Sequence, residues 1–252
     1  MNRILFEPCE IEGGLARFGG ERARHVAEVL HGTPGMPLKT GVTGGLVGVS
    51  TLQSLVRTPD GGWEAEVATC HDTEPPPPWF DMILAPPRPR VLKRLLPQLA
   101  ALGAGKIVLA GAEKVEKDFW GATVLKEENM RPLLVEGLMQ SGATALPEVL
   151  LRRAFKRFLR DELDAMFPAV QRVVAHPGGG ATAAALLRTL HDGATPPARP
   201  LFAIGPEGGW TDAELALLAE HGFVRFSLGS RILKTETAAV AIPAAFMAAQ
   251  GG

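Results

Sequence analysis

Leu201-Phe202-Ala203-Ile204-Gly205-Pro206-Glu207-Gly208-Gly209-Trp210-Thr211-Asp212-Ala213-Glu214 is an apolar run that breaks into a loop nearly free of side chains and then opens a helix. The run Leu201 to Ile204 has the length and apolar character of a buried strand. Gly205, Gly208 and Gly209 around Pro206 let a ligand approach the backbone closely. Thr211 and Glu214 have the T-x-x-E spacing of a capping box, so a helix should run from Asp212 to Glu220. A strand, a tight loop and a helix in this order form the repeating unit of a parallel sheet.

The same alternation extends outward from this stretch. Upstream, Phe80 to Leu84 is a short apolar run, Val91 to Leu102 has helical spacing, Lys106 to Ala110 reads as a buried strand and Asn129 to Met139 as a helix. Arg172 to Ala175 predicts a strand and Thr182 to Leu190 a helix; downstream, Val224 to Leu228 predicts a strand and Thr235 onward a last helix. Strands alternating with helices specify an α/β domain with a mostly parallel sheet. Ahead of it, Glu74 and four consecutive prolines, Pro75 to Pro78, favour a stiff polyproline II linker. Still earlier, short runs at Met36 to Lys39, Leu46 to Val49 and Trp63 to Val67 alternate with glycine turns, the pattern of a small β-barrel or sandwich. One helix, Glu21 to Leu30, with Val26, Val29 and Leu30 at helical spacing, should interrupt it. The expected organisation is a β module over 1–73, a linker over 74–78 and an α/β body over 79–252.

Composition excludes several classes. The chain has 252 residues, 46% hydrophobic and 21% charged, with 26 Lys+Arg against 27 Asp+Glu, the balance of a globular protein. Its 29 glycines and 21 prolines stay below the excess that marks disorder. Cys9 and Cys70 have no metal-ligand spacing, so neither a metal site nor a disulfide framework is expected. The apolar stretch Ala238 to Ala249 is too short to span a membrane and contains Pro243, and the N-terminus lacks a signal pattern; the reading is a cytoplasmic protein.

Three predicted strand ends carry unusual loops, and ligands in open parallel sheets bind beyond such ends. Besides the loop at Gly205 these are His176-Pro177-Gly178-Gly179-Gly180 and Leu228-Gly229-Ser230-Arg231-Ile232-Leu233-Lys234-Thr235-Glu236-Thr237. Each alone could be a plain strand-to-helix turn. Gly103-Ala104-Gly105-Lys106 is not a phosphate loop, because Ile107 replaces the metal-binding hydroxyl and Ala100 the first glycine. The Gly-rich strand ends do not fit G-x-G-x-x-G, and neither G-x-S-x-G nor H-E-x-x-H occurs, so the site belongs to another kind.

Ile204 to Gly209, followed by Leu228-Gly229-x-Arg231-Ile232-Leu233-x-Thr235-Glu236-Thr237, strongly resembles the RsmE family of 16S ribosomal RNA methyltransferases in the SPOUT superfamily. The resemblance continues through Leu84-Ala85-x-Pro87-Arg88-Pro89, Val115-Glu116-Lys117-x-Phe119-Trp120, Gly137 to Val149 and Ala175-His176-Pro177. It implies an α/β C-terminal domain threaded as a trefoil knot. Arg3-Ile4-x-Phe6, His25-Val26-x-x-Val29-Leu30 and Gly35-x-x-Leu38 are similar to the family's PUA-like β-barrel, which assists RNA binding. The implied reaction moves a methyl group from S-adenosylmethionine to N3 of a uridine in 16S rRNA of the small subunit, in a homodimer. Other readings are a SPOUT enzyme acting on another RNA, such as tRNA, or a non-catalytic ribosome-assembly factor.

On that resemblance the cofactor would be held by His176, Pro177, Ile204, Gly205, Pro206, Gly208, Gly209, Leu228, Gly229, Ile232 and Leu233. Adenosylmethionine has no phosphates, so glycine backbone and an apolar wall suit it better than a phosphate cradle. Uridine N3 becomes nucleophilic on losing its proton, which calls for a base or for a cation near O2 and O4. Arg231 suits the cation, and Glu207 and Glu236 are the candidate bases. Arg3, Arg88, Arg90 and Gln140 are the candidate RNA contacts. The chain departs from the family at Met139, Ala143, His31 and Pro243.

The charge balance also divides at the linker. Residues 1–73 hold 6 Lys+Arg and 9 Asp+Glu, whereas 79–252 hold 20 and 17. Basic runs at Arg88, Arg90, Lys93 and Arg94 and at Arg152, Arg153, Lys156, Arg157 and Arg160 are either solvated faces or phosphate contacts.

Overall fold

The computed structural model describes residues 2–168, 170–178 and 199–249, in two compact units. One takes the chain up to Pro77 together with Leu134–Leu146; the other takes Pro78–Leu133 and the chain from Pro147 onward. The predicted helix Thr182 to Leu190 lies outside the described residues, as do Gly179 and Gly180 of the second glycine-rich stretch.

The first unit is a barrel-like, six-stranded sheet in the order β1-β4-β5-β6-β3-β2. Its strands are β1 (Ile4–Phe6), β2 (Ile11–Glu12), β3 (Leu15–Gly19), β4 (Pro37–Val42), β5 (Val47–Arg57) and β6 (Trp63–Ala68). β1 pairs with β4 in parallel and the other neighbours are antiparallel. Alternation along β3 and β4 buries Ala16, Phe18, Leu38 and Thr40 and turns Leu15, Arg17, Pro37 and Lys39 outward. Phe6, Phe18, Val26, Leu52 and Val67 close the core. β1 and β2 are too short to show a period in sequence.

The helix expected over Glu21 to Leu30 forms differently. α1 (Gly20–Arg24) passes into a wider π-helical turn at His25–Val29, closed by Leu30 N–H donating to the His25 carbonyl at 3.0 Å. The wider turn rotates the following side chains away from the face a 3.6-residue period would bury. Val26 is buried, but Val29 is 62% exposed and Leu30 also faces solvent.

Leu134–Leu146, counted with the α/β body in the sequence reading, clusters with the first unit instead. The Met139 carbonyl accepts from the backbone of both Asn2 and Arg3 at 3.0 Å, and Gly44 N–H donates to the Thr144 carbonyl at 2.8 Å. Buried Thr144 returns a hydroxyl bond to the Gly45 carbonyl at 2.6 Å. These partners are far apart in sequence, so no local pattern announces them.

The second unit is a six-stranded, wholly parallel sheet in the order β12-β10-β11-β7-β8-β9. The strands are β7 (Phe80–Leu84), β8 (Ala104–Ala110), β9 (Glu148–Arg152), β10 (Arg172–Ala175), β11 (Leu201–Ile204) and β12 (Val224–Phe226). Every residue of β7 and β11 is buried, as expected of central parallel strands covered on both faces. The helices here are α2 (Pro89–Ala101), the start of α3 (Glu127–Ser141), α4 (Phe155–Asp161), α5 (Leu163–Met166), α6 (Asp212–Glu220) and α7 (Thr235–Ala249). Edge strand β9 and helices α4 and α5 were not foreseen; β9 is half exposed and lacks clean alternation. Gly103 closes the turn from α2 into β8 and Ala104, Gly105 and Lys106 open that strand, with the Arg199 guanidinium lying against Gly105. That guanidinium pairs with buried Asp81, which also accepts Lys106 N–H at 2.7 Å.

Candidate functional site

The strands β12, β10 and β11 are neighbours, so the three loops at their carboxyl ends meet. His176 N–H donates to the Phe226 carbonyl at 3.1 Å, joining the ends of β10 and β12. The Thr235 hydroxyl, in the first turn of α7, donates to the Gly205 carbonyl at 3.0 Å and joins the third loop to the first. Inside the third loop, the Ser227 hydroxyl donates to the Gly229 carbonyl at 2.8 Å. Between them lies a cavity of about 410 Å³, a volume in the range of small-molecule sites.

The cavity gathers His176, Pro177, Ile204, Gly205, Pro206, Gly208, Gly209, Leu228, Ile232 and Leu233, as well as Glu207 and Arg231. Gly229 does not line it, but holds φ at +124° beside Leu228, a conformation closed to other residues without strain. Trp210, Phe226, Ala238 and Ile242 extend its apolar wall, and none of these was singled out in sequence. Ala238 and Ile242 are one turn apart on α7, a spacing that could have flagged them.

Each glycine of the first loop has its own reason. A Cβ at Gly205 would lie 3.0 to 3.1 Å from the Trp210 indole, which is buried and stacked on Phe155 at 5.0 Å. At Gly208 it would meet the side-chain stem of Lys114 at 3.0 Å. Gly209 has open space but a φ of +70°. The predicted capping box is present, with Thr211 and Glu214 bonded reciprocally at the start of α6.

Glu236 is not at this cavity. It lines a separate groove between α2 and α7, with Val91, Arg94, Leu95 and Gln98 across from it. Thr235 and Glu236 are successive helical residues, so with Thr235 turned toward Gly205 the Glu236 side chain points about 100° away around the helix. Arg3 is likewise occupied elsewhere. Its guanidinium donates to the carbonyls of Gly142, Thr40 and Gly48 at 3.0, 2.6 and 3.2 Å, a structural task within the first unit. Arg88 and Arg90 are exposed at the start of α2, and Arg88 lies 3.7 Å from the Glu207 carboxylate. Gln140 is exposed in the first unit. Of the second basic run, Arg152 and Arg157 pair with Glu162 and Asp161, and Arg153 stacks on Trp120.

The residues present suit an adenosine-bearing ligand. Apolar walls flank backbone left open by glycine, and among the described residues two buried polar atoms of lining residues, His176 Nδ1 and Trp210 Nε1, have no hydrogen-bond partner. Such atoms are costly unless a ligand or water completes them. Among the described residues no cluster of side chains could hold a metal ion, and no helix is long and apolar enough to cross a membrane.

Residues 74–247 match the RNA methyltransferase domain family. The chain is 30% identical to ribosomal RNA small subunit methyltransferase E of Treponema pallidum, over 98% of this chain and 91% of that protein. It belongs to the RsmE family. Two solved structures share its fold. A methyltransferase of Legionella pneumophila in complex with S-adenosylmethionine superposes with a TM-score of 0.73 at 24% identity, over 98% of this chain and 97% of that one. Ribosomal RNA small subunit methyltransferase E of Neisseria gonorrhoeae, bound to S-adenosylmethionine, gives 0.72 at 23% identity with the same coverage.

Proposed function

We propose that this protein binds S-adenosylmethionine in the cavity at the ends of β10, β11 and β12 and methylates N3 of a uridine in the 16S rRNA of the small ribosomal subunit. The observation that carries the reading is the convergence of Arg231 and Glu207 on an apolar, glycine-walled cavity at the ends of three neighbouring parallel strands. Its relationship to ribosomal RNA small subunit methyltransferase E supports the ribosomal RNA substrate, and the S-adenosylmethionine bound to the two structural neighbours supports the cofactor.

Bound S-adenosylmethionine supplies an electrophilic methyl group on a sulfonium. The chain's own residues do the rest. Ile204, Leu228, Ile232 and Leu233 line the cavity and would wall the adenine, and the backbone left open by glycine would supply hydrogen bonds. The Glu207 carboxylate takes the N3 proton, and the Arg231 guanidinium stabilises the charge that spreads to the uracil oxygens. Among the described residues Arg231 has no acidic partner, which leaves it available to substrate. With the N3 proton held on Glu207, N3 would receive the methyl group of the sulfonium, whose sulfur would leave as S-adenosylhomocysteine.

Ile232 is 83% exposed and Leu228 42% exposed at the cavity, an apolar rim that supports a homodimer in which a second copy covers the site. In the same reading residues 1–73 form a PUA-like domain that assists RNA binding, and 79–252 carry the chemistry. Arg88, beside Glu207, and Arg90, both exposed, serve as phosphate contacts.

The test is to incubate the protein and methyl-labelled cofactor with undermethylated small subunits, free 16S RNA and tRNA. N3-methyluridine in small-subunit RNA is expected. Label in tRNA alone would overturn the substrate, and cofactor binding without label in any RNA would make the protein a non-catalytic factor.

A further inference from the structure

Lys114 stands outside every motif quoted above, four residues past the end of β8, yet it touches the glycine loop twice. Its ammonium donates to the Gly208 carbonyl at 2.8 Å, and its stem covers the site a Gly208 Cβ would fill. The neighbouring Glu113 N–H donates to a Glu214 carboxylate oxygen at 2.8 Å, and the other oxygen of Glu214 accepts Thr211 N–H at 2.8 Å. The loop after β8 is therefore fastened to the glycine loop at Gly208 and again at the start of α6.

The loop holding Lys114 is itself firmly placed. Gly111 N–H donates to the Arg152 carbonyl at 2.9 Å, and a Cβ at Gly111 would lie 2.0 Å from the Arg153 carbonyl oxygen. Lys114 thus projects from a segment tied to edge strand β9.

The peptide unit between Gly208 and Gly209 is the one such a fastening controls. With no Cβ on either side, that peptide plane can rotate at little steric cost. Its N–H, on Gly209, donates to the Pro206 carbonyl at 2.8 Å; its C=O, on Gly208, accepts from Lys114. The two bonds pin opposite edges of one plane. We propose that Lys114 is a positioning residue for the cofactor wall: it locks the Gly208–Gly209 peptide in the orientation the cavity needs, and so sets cofactor affinity rather than the chemical step. This rests on the reading of the cavity as the S-adenosylmethionine site.

The test uses the full-length chain, with calorimetric titration of S-adenosylmethionine and S-adenosylhomocysteine and steady-state methylation of small-subunit RNA. Lys114→Met keeps the stem and removes the donor. Losing one hydrogen bond to a wall peptide should weaken cofactor binding about three- to tenfold. KM for the cofactor should rise in step while kcat at saturation stays unchanged, the pattern of lost uniform binding. Lys114→Arg, which can donate to the same carbonyl, should recover most of the affinity. Wild-type affinity in Lys114→Met, or a fall in kcat with KM unchanged, would overturn the assignment of Lys114 alone. If the wild-type chain bound neither compound, the cofactor reading and this assignment would both be overturned.

Discussion

Replacing Gly205 by alanine should loosen the fold and weaken cofactor binding together, through one collision. The new methyl would lie 3.0, 3.1 and 3.1 Å from three atoms of the Trp210 indole, a few tenths of an ångström inside ordinary contact. The ring has little room to retreat: Trp210 is 5% exposed and stacks on Phe155 with centroids 5.0 Å apart at 21°. The Gly205 backbone is held as well, since its carbonyl accepts the Thr235 hydroxyl. Forcing a methyl into a packed site of this kind typically costs about 1–3 kcal/mol. Because Gly205 and Trp210 both line the cavity, relief on either side changes its shape. A share of about 1.4 kcal/mol falling on the bound state would weaken cofactor affinity about tenfold. Urea unfolding gives the stability change and calorimetry with S-adenosylhomocysteine the affinity. A variant with wild-type midpoint and wild-type affinity would refute the argument that this glycine exists to admit Trp210.

The remaining predictions address other residues. Arg231→Ala should abolish methyl transfer while leaving S-adenosylmethionine affinity close to wild type; equal turnover would remove the guanidinium from the mechanism. Glu236→Gln should keep full turnover, because its side chain lies in the α2/α7 groove, and a large loss of kcat would return it to the site. In the first unit, Arg22 grips the Glu10 carboxylate at 2.5 and 3.0 Å and holds its pKa below the ordinary carboxylate range, with Glu7 N–H assisting. A depressed carboxylate stabilises the fold above its unfolded value of about 4.3 and loses that contribution as pH falls through the lowered folded value. Glu10→Gln should therefore cost about 1 kcal/mol near neutrality and nothing once Glu10 in the parent is protonated, a difference that denaturant melts at several pH values can follow.

Much of this architecture is local information. The alternation of apolar runs with helical spacing after the prolines, the glycine loops and the Thr211–Glu214 capping box all depend on neighbouring residues, so the α/β body and the loops able to admit a ligand could be read directly. The same locality explains what was misread. Val29 and Leu30 carry a helical period, and the π-helical turn at His25–Val29 turns them to solvent. Thr235 and Glu236 are adjacent in a motif, yet the rotation of α7 sends only the first into the cavity. Leu134–Leu146 follows an α/β pattern, but its hydrogen-bond partners lie near residues 2 and 44. Lys114 carries no signal at all, since a lysine in a loop is ordinarily solvated. For Lys114 and the three strand-end loops, what decides is the sheet order β12-β10-β11-β7-β8-β9. It brings together residues as far apart in sequence as Asp81 and Leu201, and only burial and hydrogen bonding between such distant partners determine which of the candidate side chains share one cavity.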